Sequence, residues 1–125
     1  MSRPIGAHYH VPHGMSNAML LPVVTEWSIG GAPAKYAQAA RHMGYAESTS
    51  SDSPACLALV EGLQRLCQDL SVPSPQSYGI NRDDWVESLE LMSAQALASG
   101  SPANNPRVPA QDEIVTLYER AWAPA

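Results

Sequence analysis

Apolar residues recur at three- and four-residue intervals along most of the chain, and no stretch alternates apolar with polar positions as a half-buried strand would. The clearest stripe is Leu59, Leu63, Leu66 and Leu70, widened by Val60 and Cys67. Glu61, Arg65 and Asp69 repeat at i, i+4 on the other side, which is the pattern of a solvated face. Ser53 followed by Pro54 reads as N-cap and first helical residue, so the spacing predicts a helix over residues 54–71. Trp85, Leu89, Met92 and Ala96 predict another over 82–98, opened by Asn81 with Asp84 three positions later. Ile114, Leu117 and Tyr118, with Asp112 and Glu113 in the first turn, predict a last helix over 110–121. Tyr36, Ala39, Ala40 and Met43 predict a shorter one over 34–43, closed by Gly44 where φ must turn positive. Met15, Met19 and Leu20 place one more from His13, with a kink or short break expected at Pro22.

Proline and glycine punctuate the rest. Pro4, Gly6 and Pro12 read as an irregular N-terminal segment over 1–12. Gly30, Gly31 and Pro33 mark a loop, as do the Ser-rich stretch 47–53, the segment 71–80 and the turn 100–109. The reading is therefore all-α: a single domain over 1–125 with about five helices within 13–122. Trp27, Trp85 and Trp122 fall near helix ends, where half-buried indoles are common, and Met15, Met19, Met43 and Met92 take core-facing positions.

Composition narrows what such a domain does. The chain has 125 residues, which favours one domain able to bury about two-thirds of its unfolded surface. Its net charge is −5, Lys35 is the one lysine and the arginines are scattered, which excludes a phosphate-neutralising nucleic-acid role. The longest apolar run, Ala18 to Val24, is too short to span a bilayer. No signal peptide opens the chain. Cys56 and Cys67 lie on one predicted helix about 16 Å apart, too far for a disulfide. Two reduced cysteines suit a cytoplasmic protein. The glycines never cluster into a phosphate-binding loop, and the length is small for a dinucleotide-binding domain.

The candidate chemistry sits at the N-terminus. His8, His10 and His13 fall within GAHYHVPHG, and imidazole binds first-row transition metals well. Spacing alone leaves two readings. One is a His-rich turn that caps a helix and packs on Tyr9; the other is a metal-facing pair, His10 and His13, which would need further ligands. The chain has neither H-E-x-x-H nor C-x-x-C. Ser16 and Ser28 lack a His–Asp framework and read as caps or solvated groups. Asp83, Asp84, Glu87 and Glu90 read as a solvated, dipole-matched helix start, and Arg107 as an order-giving residue of the last loop. No catalytic or cofactor-binding residue is assigned.

The N-terminal segment SRPIGAHYHVPHGMSNAMLLPVV resembles the signature region of the iron-dependent (group III) alcohol dehydrogenases, through Pro12-His13-Gly14, Asn17-Ala18 and Leu20-Leu21-Pro22. KYAQAARHMG and NPRVPAQDEIVTLYERAW resemble later parts of the same family, in the same order, so the likeness covers nearly the whole chain. It implies the family's C-terminal helical domain. It also implies a metal, Fe²⁺ or Zn²⁺, held by one Asp and three His, and NAD(P) held by an N-terminal α/β domain. His13 matches the last of those histidines, while the other ligands and the nucleotide-binding domain have no counterpart in this sequence; Arg3 stands where many members carry a His. The expectation is the metal-site portion of an alcohol dehydrogenase acting on a small alcohol or aldehyde. Neither metal nor NAD(P) is expected to bind this chain tightly, and no turnover is expected from the 125 residues alone. The other reading is a non-catalytic helical module that forms a homo-oligomer or binds a protein partner, through apolar residues uncovered around Tyr9, Val11 and Met15.

Overall fold

The computed structural model describes residues 1–123, so the last two positions of the 1–125 domain lie outside the described residues. These fold into seven helices with no strand among them: α1 Ser2–Tyr9, α2 His13–Ser28, α3 Pro33–His42, α4 Asp52–Asp69, α5 Pro75–Tyr78, α6 Arg82–Ala98 and α7 Gln111–Trp122. The all-α reading holds, and α6 spans the residues its periodicity marks. Asn81 caps that helix, its Oδ1 accepting from the N–H groups of Asp83 at 2.8 Å and Asp84 at 3.2 Å. Gly44 closes α3 with φ +80°. Its N–H donates to Arg41 O and that of Tyr45 to Ala40 O, so the orphan carbonyls of the last turn are paired.

Several expectations are corrected. Residues 1–12 are not irregular, because α1 occupies most of them. Pro4 is the third helical residue, where no intrahelical donor is needed, so its missing N–H costs nothing. Helix α4 starts at Asp52 behind Ser51 rather than at Pro54, and Arg41 ties that start down through Ser50 O and Asp52 Oδ1, both at 2.7 Å. The leucine stripe of α4 is buried along only part of its length. Leu59 and Leu63 pack on Ala37 and Ala40 of α3, whereas Leu66 and Leu70 are exposed. The α3–α4 contact runs from Cys56, whose thiol faces Pro33 O, to Gly62, where a Cβ would meet the Tyr45 ring at 2.6 Å; Leu66 and Leu70 lie past it. Met43 and Trp85 also depart from expectation, since Met43 is exposed and Trp85 fully buried.

Helix α2 runs through Pro22 as one helix, so the short break that proline can make is absent there. Pro22 has no N–H for the carbonyl of Ala18, four residues earlier. The thiol of Cys67, on α4, reaches that carbonyl at 3.7 Å. A side chain from a neighbouring helix thus serves the group that proline leaves orphaned, one of the recognised ways a helix tolerates an interruption in its ladder. Burial pushes the Cys67 thiol up from its ordinary pKa, which keeps it in the donating form. A double-mutant cycle checks this. Cys67→Ala is expected to cost about 1 kcal/mol in denaturant melts with Pro22 present, and clearly less beside Pro22→Ala, which restores the backbone donor. Equal costs in the two backgrounds would show that the thiol serves only as packing.

The main core lies between α1, α2, α6 and α7 and centres on Trp85, which stacks with Tyr9, Tyr118 and Trp122 at centroid distances of 5.6–5.9 Å. The loop after α6 is tied to the end of α2. Asn105 Nδ2 donates to Ser28 Oγ at 2.9 Å and Arg107 Nη1 to Trp27 O at 3.1 Å, with the guanidinium 4.0 Å over the Trp27 ring. Arg107 therefore has the ordering role its position suggests. Gly31 lets the loop approach, because a Cβ there would fall 2.5 Å from Pro106 O.

Candidate metal-ligand site at the start of α2

Helix α2 begins where Pro12, in extended backbone (φ −54°, ψ 141°), delivers the chain into His13. The first turn closes by Ser16 N–H donating to Pro12 O at 2.9 Å. Ser16, fully buried, also donates its hydroxyl to His13 O at 2.9 Å, so the backbone of His13 is fixed from below. The imidazole of His13 is exposed, and its one hydrogen-bond neighbour among the described residues is Asn17, one turn along, with Nδ2 at 3.3 Å from Nε2.

His10 and His8 are held differently. His10 ends α1 in the left-handed region, φ +56°, its N–H donating to Gly6 O and its carbonyl accepting from Tyr78 Oη at 3.3 Å. Its ring is exposed and makes no hydrogen bond among the described residues. His8 turns toward α6, with Nε2 3.0 Å from Gln95 Oε1. Tyr9 packs against Trp85 instead of completing a turn, its hydroxyl donating to Asp84 O at 2.9 Å. Val11 is buried, so the apolar surface expected around Tyr9, Val11 and Met15 is largely covered within the domain itself.

Whether these residues suit a metal ion is a matter of donor set. Among the described residues no three His, Cys, Asp or Glu side chains gather into a group able to hold one. Both thiols are pushed up by burial, with Asp52 adding to the effect at Cys56, so neither is poised as a thiolate ligand. An exposed imidazole on a rigid helix start fits one corner of an iron or zinc site; the remaining corners are not supplied here.

The other candidates are structural. Ser28 donates its hydroxyl to Val24 O at 2.6 Å, and Asp83 and Asp84 occupy an exposed first turn of α6. A feature the sequence reading lacked is a cleft of about 490 Å³ beside α2, lined by Asn17, Leu20, Leu21, Val24, Trp27 and Asn105. The run Ala18–Val24 contains much of its wall, but α2 is apolar on nearly every side, and such a pattern cannot tell which side stays open. No helix among the described residues is long and apolar enough to cross a membrane.

Comparison with known proteins places the fold in a family. Residues 1–122 match the model of the Fe-containing alcohol dehydrogenase family, C-terminal. The lactaldehyde reductase of Escherichia coli (strain K12) is 33% identical over 123 residues, covering 98% of this chain and 31% of the relative. A 1,3-propanediol dehydrogenase from Citrobacter freundii is 29% identical with the same coverage. Among solved structures, a 1,3-propanediol oxidoreductase superposes with a TM-score of 0.87 at 28% identity, over 96% of this chain and 31% of that one. An alcohol dehydrogenase from Oenococcus oeni gives 0.85 at 29% identity, over 97% of this chain and 31% of that one.

Proposed function

The chain belongs to the Fe-containing alcohol dehydrogenase family, matching its C-terminal domain, and from that premise we propose that it is the metal-site portion of an NAD(P)-linked alcohol dehydrogenase, with His13 as its contribution to the metal. The observation that carries the reading is His13 itself. It stands in the Pro12-His13-Gly14 motif, exposed, on a helix start whose backbone Ser16 holds in place. His10, the second candidate, is exposed at the joint between α1 and α2. A bound metal would polarise the oxygen of a small alcohol or aldehyde while hydride passes to or from the nicotinamide.

The chain spans about a third of the length of the curated relatives it matches. One imidazole, or two with His10, does not define a tetrahedral or octahedral site, so the remaining ligands and the nucleotide site must come from polypeptide outside these 125 residues. Purified alone, the chain is expected to give no NAD(P)-linked alcohol oxidation above a protein-free blank. A chimera that carries this chain in place of the matched third of Escherichia coli lactaldehyde reductase is expected to recover metal and NAD(P)H-linked lactaldehyde reduction. Turnover by the chain alone would overturn the reading. So would a chimera that is folded by circular dichroism and retains no metal.

A further inference from the structure

We propose that Asn17 is the positioning residue that decides which ring nitrogen of His13 offers its lone pair. A neutral imidazole carries its proton on one nitrogen and an acceptor lone pair on the other, and the hydrogen bond made by the ring selects between the two forms. Here Asn17 Nδ2, which only donates, lies 3.3 Å from His13 Nε2. The contact therefore places the lone pair on Nε2 and the proton on Nδ1. The i, i+4 spacing brings the Asn17 side chain over the His13 turn on one face of α2. Ser16 meanwhile fixes the His13 backbone from the buried side. Two successive residues of one helical turn thus divide the work: Ser16 sets where His13 stands, and Asn17 sets how its ring is presented.

Asn17 also lines the cleft beside α2. Its amide holds the Nε2 lone pair in a defined direction and yields it to an approaching electrophile. The significance for metal binding rests on the reading of His13 as a ligand; the hydrogen bond and the tautomer do not.

The experiment uses the whole 125-residue chain, labelled with ¹⁵N, and reads the His13 ring nitrogens by long-range ¹H–¹⁵N correlation at about pH 9, above the ordinary imidazole range. No metal is added. The expected result is a His13 ring protonated predominantly on Nδ1. Asn17→Ala, which removes the donor at an exposed position, is expected to move the tautomer ratio about fivefold toward the Nε2-protonated form, the worth of one net hydrogen bond. Asn17→Asp replaces the donor by an isosteric acceptor and is expected to shift the ratio further in that direction. A merely structural Asn17 would leave the ratio unmoved in both variants, and that result, or a wild-type ring protonated on Nε2, would overturn the proposal. Because the readout involves no metal, its failure is separable from a failure of His13 as a ligand, which metal analysis of the chimera decides.

Discussion

His13→Ala in the chimera with lactaldehyde reductase is expected to empty the metal site while leaving the fold intact. The imidazole is exposed and its one hydrogen-bond neighbour among the described residues is another exposed side chain, so truncation removes little packing. Substitutions at such positions usually change stability by less than about 0.5 kcal/mol. With His13 as a ligand, in contrast, the metal would lose a coordinating donor. Deleting a mere outer-sphere partner of a metal ligand costs roughly 10–100-fold in affinity or activity, and removal of the ligand itself should exceed that range. Elemental analysis of the purified chimera and its NAD(P)H-linked turnover are the measurements, with circular dichroism as the control for folding. His10→Ala is the informative companion. His10 closes α1 through its backbone, and no contact among the described residues turns its ring toward His13, so it is expected to keep its metal. A His13→Ala chimera with full metal content would remove His13 from the ligand set, whatever the activity.

Trp85→Ala is expected to be the most destabilising single change in the chain. Trp85 has no exposed surface, and it touches three other aromatic rings, meeting Tyr118 edge to face at 5.8 Å. Truncating a buried tryptophan costs about 3–5 kcal/mol, against a typical domain stability of about 5–15 kcal/mol. For a chain this size that corresponds to a fall in Tm on the order of 10–20 °C. Trp85→Phe should be far milder. Phenylalanine keeps much of the ring contact, and it also removes Nε1–H, which is buried without a hydrogen-bond partner among the described residues. An unpaired buried donor costs about 1–3 kcal/mol, so its loss offsets part of the lost volume. Thermal melts of the two variants decide the point. If Trp85→Phe proves as damaging as Trp85→Ala, ring packing is not what makes this residue matter.

Tyr118 belongs to the same cluster. Burial pushes its phenol pKa well above the ordinary range, and its hydroxyl donates to Met1 O at 2.6 Å. That bond ties α7 to the segment leading into α1. The helix bearing His13 is consequently braced through α1 and α7 as well as through its own first turn.

How much of this was legible beforehand differs by element. Helix α6 could be read almost residue by residue, because Asn81 is a strong cap and Trp85, Leu89, Met92 and Ala96 leave one consistent buried face. The ends of α3 and α7 were readable for similar reasons: Gly44 supplies the positive φ that closes α3, and acids fill the first turn of α7. The helix in the N-terminal segment is hidden in the sequence because proline and glycine also occur where a helix accepts them. Pro4 in a first turn and Gly6 beside Val11 O, where a Cβ would come within 3.1 Å, look identical in sequence to turn residues.

His13 was legible as a candidate because its chemistry and its motif are both local. What lies around it was not. The sequence by itself determined the helical class, most helix boundaries, the family likeness and the one histidine that falls in the matching motif, since all of these depend on residues close together along the chain. Only the tertiary structure decided that Cys67 serves the carbonyl orphaned by Pro22, that half of the α4 stripe stays exposed, and that Trp85 is the centre of the core. It also decided that His8, His10 and His13 are held by different partners, and that α2 leaves a cleft along the side where Asn17 sits. These depend on which helix faces which, and a helix such as α2, apolar on nearly every side, carries no record of its own neighbours.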